Sequence, residues 1–242
     1  MSIIRIETTT STNTYLKELA KEQILDEGTA VITESQTEGK GQRGNAWESE
    51  PGKNITFSII LYPDFLPVRQ NFLLSKVVAL GIRDVLDSYV DNITIKWPND
   101  IYYEKRKMVG ILIENEWMGQ NITQSIAGIG INVNQDVFLS NAPNPVSLKQ
   151  ILGRDLDLNI LLDGIIKQIM LWYGRLKAGD IELISKSYQE ALYRNSGYHR
   201  YKDSSGLFTA SLEKVTDDGF LHLITDAGEE RSYAFKEVSF II

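Results

Sequence analysis

The sequence predicts an α+β fold: a larger domain of mixed helices and strands, followed by a small β-barrel. Segments with apolar residues at helical spacing alternate with short apolar runs over most of the chain. From about Asn195 the pattern changes to short strands separated by turns. The turn clusters lie at 203–206, 217–219 and 226–228. Turns so closely spaced are typical of a small barrel, and we therefore expect two domains, 1–194 and 195–242.

The first part of the chain predicts one helix and two strands. Thr8 to Thr14 is a run of small hydroxyl and amide residues suited to capping a helix start, and apolar residues recur behind it at helical spacing. This pattern predicts a helix over 14–25. Gly28–Thr33 predicts a short strand and Asn54–Leu61 a second one, with a glycine-rich loop over 37–53 between them.

The rest of the first domain predicts a long helix, four strands and a helical end. Pro67 opens a helix that runs to about Val90. Residues 157–194 predict two helices that are broken around Gly179. The four strands between these helices are Ile93–Trp97, Ile101–Tyr103, Val109–Trp117 and Gln124–Val133.

Composition and charge exclude several classes of function. The chain has no cysteine, which excludes disulfides and thiolate nucleophiles, and only His199 and His222 are available for a histidine triad or a zinc site. The net charge of −7 disfavours nucleic-acid binding, because that affinity depends on neutralising phosphates. The N-terminus lacks the apolar core of a signal peptide, and no stretch approaches the ~18 apolar residues that span a membrane. We therefore expect a cytoplasmic protein that binds neither nucleic acid nor membrane.

The glycine-rich loop carries two cations and matches a phosphate-binding pattern only in part. Residues 39–44 have the spacing G-x-G-x-x-G, but a strand follows instead of a helix, which excludes a dinucleotide fingerprint. No Gly-Lys-Ser or Gly-Lys-Thr follows, which excludes a P-loop. Two interpretations stay open: a flexible hairpin loop, or a loop that closes over an anionic ligand with Lys40 and Arg43.

Three further motifs are ambiguous when each is taken alone. Ser11-Thr12-Asn13 is suited to capping a helix. Lys96-Trp97-Pro98-Asn99-Asp100 ends a strand in a turn, which is either ordinary turn chemistry or a pair of oxygen donors for Mg²⁺ or a nucleotide. Gly128 and Gly130 alternate within an apolar strand. Such glycines indicate that a helix or a ligand packs closely against that face of the strand.

In their order along the chain, these motifs resemble the catalytic domain of biotin–protein ligases. The most specific element is the Lys-Trp-Pro-Asn-Asp run with Lys107 seven residues beyond its aspartate. The resemblance extends from about Ile6 to Asn134 and more loosely to the C-terminus. It implies a mixed β-sheet flanked by helices, of the class II synthetase-like type, and an SH3-like barrel near residues 195–242.

The resemblance also implies the residues of the site. The expected catalytic residues are Lys107 and Lys40. The expected biotin-binding residues are Ser11, Thr12, Asn13, Gln36, Gly39, Lys40, Gly41, Gln42, Lys107 and Gly110. The residues expected to bind ATP or the adenylate are Arg43, Trp47, Asn99 and Asn132. Asp100 is a candidate ligand for Mg²⁺.

The reaction that the resemblance implies suits these residue types. Such a ligase activates biotin with ATP to biotinyl-5′-AMP and transfers biotin to a lysine of a biotin carboxyl carrier protein. Attack of a carboxylate on the α-phosphate brings two anions together, and Lys107, Lys40 and Mg²⁺ would offset their repulsion. A neutral ureido ring matches hydroxyl and amide side chains. No protein nucleophile is required, which agrees with the absence of cysteine.

Other functions and forms remain to be distinguished. A lipoate–protein ligase-like acyltransferase and an inactive biotin-binding scaffold are the alternatives, and both a monomer and a homodimer are open. Many bacterial relatives carry an N-terminal DNA-binding domain and act as repressors. Here the ligase motifs begin by Ser11, so we expect a form without that domain and without specific DNA binding.

One departure from the family pattern leads to a prediction. The glycine loop usually has arginine at the position of Gln42, and Arg43 stands next to it. We expect Arg43 to take over the contact with the adenylate phosphate. Because charged contacts contribute about 1.5–3 kcal/mol, Arg43→Ala should release biotinyl-adenylate roughly tenfold to hundredfold faster, as measured by stopped flow. An unchanged release rate would mean that Lys40 and Mg²⁺ suffice.

Overall fold

This computed structural model describes residues 2–42, 46–139 and 144–242. Its strands form two sheets. The first sheet contains β1 (Ile3–Thr9), β2 (Ala30–Gln36), β3 (Ile55–Leu61), β4 (Ile93–Lys96), β5 (Asp100–Tyr103), β6 (Arg106–Met118) and β7 (Asn121–Ile131). The second contains β8 (Tyr198–Asp203), β9 (Gly206–Val215), β10 (Leu221–Thr225), β11 (Glu230–Tyr233) and β12 (Ser239–Phe240). The helices are α1 (Thr12–Glu22), α2 (Phe72–Leu86), α3 (Leu148–Leu152), α4 (Leu158–Lys177) and α5 (Ile181–Glu190).

The first sheet is mixed, as predicted, and has the order β1-β2-β3-β7-β6-β5-β4. The edge strand β1 runs parallel to β2, and the other neighbours are antiparallel. β3 lies near the middle and is buried along its whole length, which agrees with its largely apolar sequence; its two polar residues are Thr56 and Ser58. The second sheet is antiparallel, with the order β11-β10-β9-β8-β12, and confirms the predicted change of architecture near the C-terminus.

Each face of the first sheet is covered by helices. Helix α1 closes a small core in which Leu16 packs against Val31 and Ile60. On the other face α2 and α4 close the main core, which includes Phe57 and Ile129 from β3 and β7. Successive residues of a strand point to opposite faces, so Ser58 and Ile60 face α1 while Phe57 faces α2. The α1 face also carries the polar residues of the cleft described below.

Several predicted elements were wrong in extent, and two were missed. The predicted helix from Pro67 is a 3₁₀ turn, Val68–Gln70, followed by α2. α1 begins at Thr12 and ends at Glu22, earlier than predicted at both ends. β1 was missed because isoleucines alternate with polar residues only briefly at an edge. α3 was missed because it has only five residues, although Ser147 and Gln150 form a capping box at its start.

A buried lysine joins α2 to the second sheet. The side chain of Lys76 is 1% exposed, and its ammonium group forms an ion pair of 2.7 Å with Asp217 in the β9–β10 turn. It also donates to the carbonyl oxygen of Val215 at 3.2 Å and to the hydroxyl of Ser185 on α5 at 3.1 Å. The backbone N–H of Phe72 donates to the carbonyl oxygen of Asp217 at 3.1 Å. These bonds hold the β9–β10 turn against α2.

Within the described ranges no helix is both long and apolar enough to cross a membrane. The domain boundary expected at 194/195 and the cytoplasmic location remain predictions.

The buried ion pair leads to a prediction about stability. Lys76→Ala should lower the free energy of unfolding by about 3 kcal/mol, because it leaves Asp217 and the Val215 carbonyl without their cation. Urea denaturation of the purified chain measures this change. The matched control is Lys167→Ala on the neighbouring helix α4, where the lysine is exposed. That substitution should stay within about 0.5 kcal/mol of the wild type, and an equal loss in both variants would contradict the assigned role of Lys76.

Candidate active site

A cleft of about 180 Å³ opens on the α1 face of the first sheet. It lies between the start of α1, the residues after β2, the β4–β5 turn and the strands β6 and β7. Twelve of the residues predicted from the sequence line it: Ser11, Thr12, Asn13, Gln36, Lys40, Gly41, Gln42, Trp47, Asn99, Asp100, Lys107 and Gly110. The chain thus brings together residues that are up to 99 positions apart, as Ser11 and Gly110 are.

One end of the cleft is neutral and polar. Ser11 is the N-cap of α1, and the backbone N–H of Thr12 donates to Oε1 of Gln36 at 2.8 Å. The hydroxyl of Thr12 lies 3.2 Å from the same oxygen and 2.7 Å from the hydroxyl of Ser58. Ser11, Thr12 and Ser58 are each 3% exposed or less, and hydrogen bonds inside the protein hold the hydroxyls of Thr12 and Ser58 in place. This end presents hydroxyl and amide groups without a net charge.

The floor of the cleft is made by glycines. A Cβ atom built on Gly130 or Gly110 would overlap the indole ring of Trp47, and one built on Gly128 would overlap the side-chain oxygen of Asn13. Both side chains therefore lie directly on the backbone of β6 and β7. This confirms the expectation that something packs closely against the alternating glycines, and it identifies what does so. The indole N–H of Trp47 has no hydrogen-bond partner among the described residues.

The other end of the cleft carries the cations. The ammonium group of Lys107 lies 2.7 Å from Oδ1 of Asp100, and the two side chains are 23% and 16% exposed. Gly110 stands opposite Asp100 in the β5–β6 register, and the aliphatic stem of Lys107 lies next to it. The ammonium group of Lys40, which is exposed, lies instead beside the neutral end, where it donates to the hydroxyl of Thr14 on α1 at 3.3 Å.

The Lys-Trp-Pro-Asn-Asp segment has both a structural and a cleft-lining part. Trp97 is buried, and its indole N–H donates to the carbonyl oxygen of Gly219 in the second sheet at 3.0 Å. Asn99 donates its side-chain N–H to the carbonyl oxygen of Ile111 at 2.7 Å, which fixes the turn against β6. In the described part of the chain, no three histidines or carboxylates cluster as a metal site.

Two predicted site residues that the structure describes do not line this cleft. Gly39 lies beneath the loop, where its carbonyl oxygen accepts from the backbone N–H of Trp47 at 2.9 Å. Asn132 is buried just past β7, and its backbone N–H donates to the carbonyl oxygen of Met108 at 3.0 Å. Arg43 lies outside the described residues. The roles expected of all three remain predictions.

The sequence analysis missed several residues that shape the cleft. Lys96 lines it, with its ammonium group 4.8 Å from the ring centre of Phe240. Burial lowers the pKa of Lys96, and the charges of Lys107 and Arg194 lower it further. Phe235 reaches the cleft from the second sheet. The Lys-Trp-Pro-Asn-Asp motif could have indicated Lys96 as a residue of the cleft. No local sequence pattern indicates that Phe235 lies beside it.

Comparison with known proteins agrees with this architecture. The model of the biotin/lipoate A/B protein ligase family matches residues 5–132. A bifunctional ligase/repressor of Bacillus spizizenii is 32% identical over 235 residues, which cover 93% of this chain and 70% of that protein. A biotin–[acetyl-CoA-carboxylase] ligase of Paracoccus denitrificans is 28% identical over 216 residues, covering 83% of this chain and 85% of that protein.

A solved structure extends the likeness to three dimensions. The biotin protein ligase of Aquifex aeolicus, in complex with biotin and ATP, superposes with a TM-score of 0.80 at 25% identity. The superposition covers 98% of this chain and 97% of that one, so it includes both sheets. The chain therefore belongs to the biotin/lipoate A/B protein ligase family.

The glycine floor leads to a prediction. Gly130→Ala should displace the Trp47 ring and cost about 1–3 kcal/mol of stability, as overpacking of a filled site does. The indole N–H resonance of Trp47, assigned with a Trp47→Phe variant, should shift in the NMR spectrum. The matched control is Gly174→Ala on α4, where an added Cβ meets nothing within 4 Å. The Trp47 resonance should not move in that control, and a resonance that also stays unchanged in Gly130→Ala would refute the close contact.

Proposed function

We propose that the chain is a biotin–protein ligase, which activates biotin with ATP and transfers it to a lysine of a biotin carboxyl carrier protein. The observation that carries this proposal is a single cleft with a neutral polar end, a glycine floor and a cationic end. A ligand with a neutral ring and an anionic tail fits that order of groups. The likeness to the Aquifex ligase in complex with biotin and ATP supports the same ligands here.

In this proposal the polar end binds the ureido ring. The ring offers one carbonyl acceptor and two N–H donors, and Ser11, Thr12 and Gln36 supply the complementary groups. A site built to pair with such donors rejects ligands that lack them, because its buried polar groups would then lose their partners. This distinguishes biotin from lipoate, whose ring has no N–H group.

The cationic end would hold the reacting anions. The biotin carboxylate attacks the α-phosphorus of ATP, a bond to that phosphorus forms, and pyrophosphate leaves. Lys107 and Lys40 would stabilise the charge on the phosphate oxygens during this step. In the structure Lys107 is already held by Asp100, at 2.7 Å, so its ammonium group is positioned before any ligand arrives.

Magnesium fits this site only as a companion of the nucleotide. Asp100 is the one carboxylate among the residues described as lining the cleft, and Mg²⁺ is commonly held by one or two carboxylates together with substrate phosphates. Asp100 and the side-chain oxygen of Asn99 would hold the ion, which would neutralise phosphate charge. The residues present therefore suit Mg²⁺ that enters with ATP.

The second half-reaction uses the product of the first. The unprotonated amine of an acceptor lysine attacks the carbonyl carbon of biotinyl-5′-AMP, an amide bond forms, and AMP leaves. Neither half-reaction needs a nucleophile from the protein, and the chain has no cysteine to supply a thiolate. The carrier protein therefore has to bring its lysine to the cationic end of the cleft.

A direct experiment tests this function. The purified chain is incubated with biotin, Mg-ATP and a biotin carboxyl carrier domain, and the intact mass of the carrier is measured. A gain of one biotinyl group is expected, together with biotin-dependent exchange between ATP and labelled pyrophosphate. A parallel reaction with lipoate and a lipoyl domain should show no gain. Modification with lipoate alone would replace this function by the alternative, and no adenylate at all would indicate a scaffold.

The position of Lys107 leads to a prediction about the first half-reaction. Lys107→Ala should slow single-turnover adenylation by roughly 10²–10³, because one positioned donor to the developing charge contributes about 3–4 kcal/mol. The matched control is Lys105→Ala in the same β5–β6 turn, where the lysine is exposed. Adenylation by the control should equal that of the wild type. A near-normal rate in Lys107→Ala would remove this lysine from the mechanism.

A further inference from the structure

A row of three residues crosses the middle of the first sheet beneath the start of α1. Ser58 on β3 stands opposite Gly128 on β7, which in turn stands opposite Leu112 on β6. The middle position of the row has no side chain. The side chain of Asn13 lies in the gap, in direct contact with the place that a Cβ of Gly128 would take. Asn13 can therefore contact groups on both β3 and β6.

Every polar atom of the Asn13 side chain has a partner. Its Nδ2 group donates to Oε2 of Glu114 at 2.7 Å and to the carbonyl oxygen of Leu112 at 3.3 Å. Its Oδ1 atom accepts from the hydroxyl of Ser58 at 2.6 Å. Asn13 and Ser58 are buried, whereas Glu114 lies at the solvent edge of β6. A residue at the rim thus contacts a buried network that reaches the cleft.

The carboxylate of Glu114 and the carbonyl oxygen of Leu112 together determine which way the amide of Asn13 points. A carboxylate only accepts hydrogen bonds, so the amide nitrogen faces it and the amide oxygen faces Ser58. The reverse orientation would place the amide oxygen against the carboxylate. Of the two bonds from Nδ2, the one to Glu114 is the shorter and is charge-assisted, and charge-assisted bonds are the stronger kind.

The orientation of the Asn13 amide affects the cleft because the hydroxyls of Ser58 and Thr12 each have only one proton to donate. Ser58 must donate to the amide oxygen of Asn13, so its contact of 2.7 Å with Thr12 requires Thr12 to donate. Because its one proton then lies on the shorter contact with Ser58 and not on the 3.2 Å contact with Oε1 of Gln36, the hydroxyl of Thr12 faces the cleft as an acceptor. Oε1 of Gln36 is occupied by the backbone N–H of Thr12 at 2.8 Å, which leaves the Nε2 group of Gln36 as a donor.

We propose that Glu114 is a positioning residue that sets the hydrogen-bond polarity of the neutral end of the cleft. Through Asn13 and Ser58 it makes the hydroxyl of Thr12 an acceptor, beside the Nε2 donor of Gln36 that the backbone N–H of Thr12 orients. This pair selects a ligand that offers an N–H group beside a carbonyl oxygen, which is the arrangement in a cyclic urea. The inference rests on the proposed function for the identity of the ligand, and Glu114 itself does not line the cleft.

The test compares ligands as well as variants. Biotin and 2-iminobiotin, a cyclic guanidine in which an imino nitrogen replaces the carbonyl oxygen, are titrated into the intact chain by calorimetry. Glu114→Ala should weaken biotin binding about tenfold, the effect of roughly one misdirected hydrogen bond, with the adenylation rate at saturating biotin unchanged. The ratio of biotin to 2-iminobiotin affinity should also fall. A merely structural loosening would weaken both ligands equally and leave that ratio intact.

Two further variants complete the design. Glu116→Ala is the matched control, because Glu116 lies on the same face of β6 and its carboxylate pairs with Lys17 at 2.9 Å. It should leave both affinities unchanged. Asn13→Asp should bind biotin poorly, because it places a second carboxylate against that of Glu114. The double variant Asn13→Asp with Glu114→Gln should recover part of the biotin affinity, because the glutamine amide can donate to the new carboxylate.

The outcomes separate this inference from the proposed function. If the wild type binds no biotin, the proposed function fails. If the wild type binds biotin and Glu114→Ala changes neither the affinity nor the ligand ratio, the inference alone is overturned. Thermal melting shows whether the alanine variant is folded, and where it is not, Glu114→Val is used, because valine also removes the acceptor and suits a strand, with the same fall in the ligand ratio expected. An unchanged ratio in that folded variant overturns the inference equally.

Discussion

The close approach of side chains to the bare backbone of β6 and β7 is the constraint on which the site depends. At Gly110, Gly128 and Gly130 no Cβ fits, because Trp47 and Asn13 occupy that space. Any larger residue there would raise the floor and separate the start of α1 from the sheet. Glycine weakens a strand, yet these strands are flanked on both sides by hydrogen-bonded neighbours, which offsets that weakness. The cleft therefore exists because the centre of the sheet lacks side chains on one face.

The polar groups around this floor differ in charge between the two ends of the cleft. Hydroxyl and amide groups from α1, β2 and β3 form one end, where hydrogen bonds inside the protein leave selected donors and acceptors for a ligand. Lys107 and Asp100 form the other end, on the antiparallel pair β5 and β6. A ligand that lies along the floor contacts neutral partners with its ring and cations with its carboxylate. This order of groups orients the ligand before any chemistry takes place.

The second sheet contributes to the cleft although it follows the first domain in sequence. The ion pair of Lys76 with Asp217 holds the β9–β10 turn against α2, and the bond from Trp97 to Gly219 holds it against the β4–β5 turn. Phe235 from the same sheet reaches the cleft, and Phe240 lies over the ammonium group of Lys96. The surroundings of the cationic end are therefore shared between the two sheets, so the docking of one sheet on the other affects the chemistry.

The sequence by itself determined the elements with strong local signals. The largely apolar sequence of β3, the turns of the C-terminal strands and the order of the glycine and lysine motifs predicted the mixed sheet, the second sheet and twelve residues of the cleft. β1 and α3 were missed because their local patterns are short. Only the tertiary structure decided that Asn13 crosses Gly128 to reach Glu114, and that Phe235 lies beside the cleft. The physical reason is that such contacts depend on strand register and on the docking of the two sheets, which join residues far apart in the chain and leave no periodic pattern in the sequence.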